Sequence, residues 1–191
     1  MDAVSGVTSP VGFVAAGMAS GIKASGASDL ALVAAITTVP AAAVFTTSRT
    51  AAAPVELSRG RIASGRARAV LLNSGCANAG TGTGGLAAAE TTTAAVALAL
   101  GCPPGEVLPC STGPIGTTLP VGRIVDAVPT LVAGLGSGAG FGTDAATAIM
   151  TTDSRPKEAL ASRAGWSVGG MAKGAGMIRP DMATMLSILT T

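Results

Sequence analysis

The sequence predicts an α/β protein of layered sheets and helices. Short apolar runs of strand length alternate with longer helical runs, as such layered folds require. Glycine and proline separate them, and hydrophobic residues make up 48% of the 191 residues, enough for a sizeable core. With three Phe, one Trp and no Tyr, that core must be built largely from small side chains, with elements packed closely. The length suits one domain or two small ones, and no internal repeat is visible.

Taken in order, residues 10–28 are rich in Gly and Ala, with turn signals at Gly21 and at Ser25-Gly26. Residues 29–36 and 41–47 are short apolar runs on either side of Pro40, and their length and punctuation favour strands, with helix left open by periodicity alone. Residues 53–65, carrying Pro54, Glu56 and several Arg, read as a surface helix. Residues 69–72 form a buried strand running into Asn73-Ser74-Gly75. The clearest helix is 86–100, Ala- and Leu-rich, preceded by Gly84-Gly85 and closed by Gly101 and Pro103-Pro104. Glycine just past a helix end, with proline beyond, is a stop signal. A strand follows at 106–110, ending at Ser111-Thr112-Gly113-Pro114. Residues 121–133 read as a helix bent or interrupted by Pro129, 134–142 as a flexible loop, and 144–150 as a short helix or strand.

Composition excludes several function classes. The chain has no histidine, so it cannot by itself build a Ser-His-Asp or Cys-His relay or a histidine-ligated metal site. Acid–base work falls to carboxylates, lysine, a shifted thiol or a free α-amine. A net charge of +2 and the scarcity of aromatic residues give no basis for nucleic-acid binding. Cys76, Cys102 and Cys110 show no CxxC and no zinc spacing; they read as small buried hydrophobes in a reducing compartment. The N-terminus has no basic segment followed by an apolar run. Mean hydropathy is +0.57, yet Thr, Pro, Gly or Glu90 breaks every long apolar stretch, short of the roughly 20 residues a spanning helix needs. The expectation is a soluble, cytoplasmic protein.

The segment GGMAKGAGMIRPDMATML at 169–186 holds the strongest chemical signal. Glycines, a lone lysine and a proline lead to Ala183 and Thr184, and an apolar run at 185–189 follows. On its residues alone this is a loop feeding a buried strand or helix, and Thr184 is equally an ordinary cap or strand starter. CSTGPIG at 110–116 can present a hydroxyl and a backbone N–H together, or simply close a strand. Gly80, Gly82 and Gly85 fit G-x-G-x-x-G between a strand and a helix. About six residues separate that strand from the first glycine, and no acidic partner follows, so we reject a dinucleotide site.

KGAGMIRPDMATML resembles the cleavage motif of the ornithine acetyltransferase (glutamate N-acetyltransferase) family. GIKASGASDLALV at 21–33, LNSGCANA at 72–79, CSTGPIG and AIMTTDSRPK at 148–157 resemble family segments in the same order. One departure is Gly80-Thr81-Gly82, where the family commonly has Cys-Thr-Gly; the family's nucleophile is not that cysteine. The resemblance implies the layered sheet-and-helix fold shared with N-terminal-nucleophile aminopeptidases. It implies self-cleavage at Ala183–Thr184, giving an alpha-chain region, 1–183, and the start of a beta-chain region, 184–191. Thr184 would then be the nucleophile, with its own α-amine as base, a pairing that suits a chain without histidine.

By the same resemblance, Thr112 and Gly113 form an oxyanion hole, and Thr151 and Lys173 bind substrate, with Thr152 adjacent in register. The implied reaction moves acetyl from N2-acetylornithine to glutamate in arginine biosynthesis, without a cofactor. Acetyl-coenzyme A is a further donor for some members, giving amino-acid N-acetyltransferase activity. The implied assembly is an alpha2beta2 heterotetramer with the chain's own beta chain. An aminopeptidase or amidase of related fold, with water as acceptor, stays open, as does an inactive truncated fragment. Residues 1–191 alone are expected not to turn over substrate, because family members are roughly twice as long.

Overall fold

The structure is a computed structural model and describes residues 6–174 and 185–191. After a 3-10 turn at Gly6–Thr8 come strands β1 (Phe13–Met18) and β2 (Leu30–Pro40), helix α1 (Ala53–Ile62), β3 (Arg66–Ser74), α2 (Gly82–Leu100) and β4 (Val107–Thr112). Helices α3 (Val121–Ala133) and α4 (Ala139–Ala148) follow, then β5 (Lys157–Arg163), β6 (Trp166–Lys173) and β7 (Leu186–Thr190). One sheet has the order β1-β2-β3-β4 and the second β5-β6-β7.

The first six residues of β2, 30–35, are apolar without interruption because both faces are covered there. Leu30, Leu32 and Ala34 join Ala69 and Leu71 of β3 on one face, against Val96 and Ala97 of α2 and Ile124, Val128 and Leu131 of α3. Ala31, Val33 and Leu72 face the other way, into a cluster with Ala145, Ala146, Ala148 and Ile149 at α4 and Met171 of β6. Period-two alternation splits one run into two cores. The core is built from small side chains, as the composition requires, and elements approach closely. A Cβ on Gly17 of β1 would lie 2.1 Å from the Asp144 carbonyl oxygen of α4.

The helix expected at 86–100 begins earlier, at Gly82, and takes Gly84 and Gly85 into its first turns. Its end is as predicted: Gly101 turns left-handed at φ 65°, and Cys102 N–H bonds the Ala97 carbonyl at 3.0 Å. This ending satisfies carbonyls the helix leaves open. Pro129 sits inside α3 without ending it.

Two expectations are corrected. Residues 41–47 are not a strand, because β3 has no more edge to offer: its first residue, Arg66, already pairs with Pro40. The Gly/Ser stretch at 134–142 is not all loop, since α4 starts at Ala139 after Gly138 at φ 102°. The Gly/Ala-rich stretch at 10–28 conceals β1, and the β5–β6 hairpin gave no strand signal. Most of β5 is exposed, so it carries no apolar stripe to read. The hairpin closes on a two-residue turn, Ala164-Gly165, with Gly165 at φ 89°, a geometry that favours glycine.

The run at 185–189 forms a half-buried strand. Leu186 and Ile188 pack on the α4-side core while Leu189 is 72% exposed. No helix among the described residues is long and apolar enough to cross a membrane.

Candidate active site

Strands β3 and β4 run parallel, and α2 is the crossover between them, as parallel neighbours require. Their carboxyl ends therefore open on the same edge, with Ser74 in register with Thr112. The two loops leaving that edge are fastened to each other. Ala77 N–H bonds Pro114 O at 3.0 Å, and Gly116 N–H bonds Ala79 O at 2.9 Å. Asn73 braces the same corner: its Nδ2 donates to Cys76 O at 2.9 Å, and its Oδ1 accepts from Ser111 Oγ at 2.6 Å. Gly113 follows with φ 141°, where a Cβ would sit 2.5 Å from Cys76 N. The close crossing of the two loops leaves no room for a side chain at Gly113.

Lys173, the last residue of β6, reaches this edge from the second sheet. Its Nζ donates to Thr112 Oγ1 at 3.0 Å, and both residues are 4% exposed. The direction of that bond matters. An ammonium has only donors, and a threonine hydroxyl has one proton and two acceptor lone pairs. With a lone pair engaged by Lys173, the Thr112 proton is left to donate elsewhere. The positive charge also polarises the hydroxyl and makes it a stronger donor. Burial lowers the Lys173 pKa, Asp153 raises it, and Lys157 and Lys23 push it down again.

Thr151 lies on the exposed turn after α4 and joins this group through a residue that motif reading did not single out. Asp153 Oδ2 accepts the Thr151 N–H at 3.3 Å, and Asp153 Oδ1 accepts the Gly174 N–H at 3.0 Å and a bond from Lys157 Nζ. Burial pushes the Asp153 pKa up. The bonds from Lys157, Gly174 and Thr151 and the Lys157 charge outweigh it and hold the carboxyl at about 2. A carboxyl depressed below its unfolded value stabilises the fold above that value and loses the contribution as pH falls towards the folded one. The wild-type stability advantage over Asp153→Asn should therefore be full above pH ~4 and shrink towards pH ~2. Urea unfolding of both proteins at pH 5 and pH 2.5 checks this, and an advantage independent of pH contradicts it.

The structure thus brings together Thr112, Gly113, Lys173 and, through Asp153, Thr151. Ala183 and Thr184 lie outside the described residues. Asp29 and Lys23 also escaped motif reading. Asp29 is fully buried and accepts bonds from Ser20 N, Ser20 Oγ and Lys23 N at 2.7–2.9 Å. Its signal was an acid placed directly before a seven-residue apolar run, residues 30–36. Among the described residues no group of three or more His, Cys, Asp or Glu could hold a metal ion. The glycine-rich turn at 80–85 is filled from within, with Asn78 Nδ2 donating to Gly85 O at 2.8 Å and Thr81 Oγ1 to Asn78 Oδ1 at 3.0 Å.

These features define a layered α/β protein whose buried polar site sits where parallel strand ends meet the end of a second sheet. The chain belongs to the ArgJ family, which it matches over residues 14–191. It is 53% identical to the arginine biosynthesis bifunctional protein ArgJ of Mycolicibacterium paratuberculosis, over 97% of this chain and 48% of that protein. Identity to ArgJ of Mycobacterium tuberculosis is 52%, with the same coverage. The chain therefore spans about half the length of the curated relatives it matches. Among solved structures, the ornithine-complexed ornithine acetyltransferase of M. tuberculosis superposes with a TM-score of 0.90 at 48% identity, covering 94% of this chain and 96% of that one. ArgJ of Bacillus halodurans gives 0.86 at 36% identity, covering 93% and 94%.

Proposed function

We propose that this chain is the N-terminal half of an acetyltransferase that moves the acetyl group from N2-acetylornithine to glutamate in arginine biosynthesis, in the cytoplasm. The observation that carries this reading is the Thr112 hydroxyl, held by Lys173 beside Gly113 at the strand ends of an ArgJ-family chain. Thr184 is the nucleophile, freed by cleavage of the Ala183–Thr184 bond. Coverage supports a two-chain state: the solved M. tuberculosis chain is matched over 96% of its length, the curated protein of that organism over only 48%.

In the first half-reaction the Thr184 hydroxyl attacks the acetyl carbonyl carbon, and its own α-amine takes the hydroxyl proton. Oxyanion charge develops where the Thr112 hydroxyl and Gly113 N–H can meet it. The C–N bond then breaks, the ornithine nitrogen takes the proton, and an acetyl ester remains on Thr184. The amine of glutamate attacks that ester and restores the hydroxyl. Thr151 and Lys173 bind substrate, Lys173 offering its ammonium to a carboxylate, and the two halves assemble as an alpha2beta2 heterotetramer. Acetyl-coenzyme A is a further donor to test.

Activity tests use residues 1–191 alone and completed with the C-terminal half of the 53% identical relative. The completed enzyme should consume N-acetylornithine beyond one equivalent per site only when glutamate is present, forming N-acetylglutamate, and residues 1–191 alone should not. Equal consumption without glutamate would make the protein an amidase.

A further inference from the structure

We infer that Asp153 and Lys23 are positioning residues that clamp the turn at 150–153 to the end of β6, so that Thr151 and Lys173 meet a substrate as one body. The inference rests on the assignment of Thr151 and Lys173 to substrate binding. The turn would otherwise be weakly held, since Thr151 and Thr152 are both exposed. The atoms on either side of the Met150–Thr151 peptide bond are each fixed by a charged side chain. From one side the half-buried Lys23 donates its Nζ to Met150 O at 2.8 Å and to Ser28 O at 2.7 Å. From the other, Asp153 accepts the Thr151 N–H, and its second oxygen accepts the N–H of Gly174, the residue after Lys173.

Neither side chain is free to wander. Asp153 is 8% exposed, and the Lys23 backbone N–H is itself tied to buried Asp29 at 2.9 Å. Gly174 has φ 136°, so the N–H that Asp153 engages is set by a backbone turn that favours glycine. One carboxylate therefore bridges two elements of different origin, the turn after α4 and the end of β6. Both carry a candidate substrate-binding side chain. Hydrogen bonds to a charged group are stronger than neutral ones, which suits a joint that must hold against ligand binding and release.

Asp153→Asn keeps one acceptor and places an amide donor against a backbone N–H or Lys157. In the completed enzyme it should raise KM for N-acetylornithine by about ten- to a hundredfold, the scale for a charged hydrogen bond, with a smaller change in kcat. In a Thr151→Ala background the same substitution should add no more than about threefold, because residues acting through one group are not additive. A role in stability alone predicts an unchanged KM or additive effects, and either result overturns the clamp. Should Asp153→Asn fail to fold, Lys23→Met, which releases Met150 O from the more exposed side, is held to the same two criteria. Wild-type enzyme that does not turn over N-acetylornithine would overturn the functional reading and the clamp together. Wild-type turnover with unmoved KM in a folded variant overturns the clamp alone.

Discussion

Thr112→Ala in the completed enzyme should lower kcat by about 10²–10³-fold, the scale for losing one oxyanion donor, with the fold retained. The expectation follows from the direction of one bond. Lys173 donates to Thr112 Oγ1, so the hydroxyl proton is available to the developing oxyanion. Alanine removes that proton and one acceptor of a buried ammonium, and leaves the backbone of β4 in place. Thr112→Ser restores the hydroxyl and should recover most of the rate. Unaltered turnover in a correctly cleaved Thr112→Ala enzyme would reduce Thr112 to a residue closing a strand.

Thr184→Ala should have the largest effect: one uncut chain and a loss of transfer of at least about 10⁴-fold, as removal of a nucleophile gives elsewhere. The wild-type enzyme should show two chains by intact mass, the second beginning at Thr184. A cut that persists in Thr184→Ala removes it from the cleavage chemistry.

Much of the fold was legible in the sequence because its best elements obey local rules. Helix α2 ends where Gly101 and Pro103 say it must, and α3 spans the residues its pattern assigned. The misses have physical causes. A strand at 41–47 had the right composition but no partner edge, since pairing with β3 is exhausted at Pro40. Strand β5 is exposed along most of its length, and β1 is written in Ala and Gly, so neither shows an apolar stripe.

The candidate site divides in the same way. Thr112, Gly113 and Lys173 were found from motif resemblance, and the structure adds the bond between Lys173 and Thr112, a tertiary contact across 61 residues. Asp153 and Lys23 act on backbone atoms of distant segments. Such bonds leave no spacing in the sequence, only a lone acid or lysine among small residues. Thr151 is tied to this group by its backbone, so residue type alone could not separate it from Thr152.

Whether the acetyl group resides on Thr184 between half-reactions is read directly by one measurement. The completed, cleaved enzyme is incubated with N-acetylornithine in the absence of glutamate, quenched, and analysed by intact mass. One acetyl group should be added to the chain beginning at Thr184 and removed when glutamate is supplied, with parallel double-reciprocal plots for the two substrates. An unmodified Thr184 chain together with intersecting plots would mean direct transfer in a ternary complex and would rule out the acetyl-Thr184 intermediate.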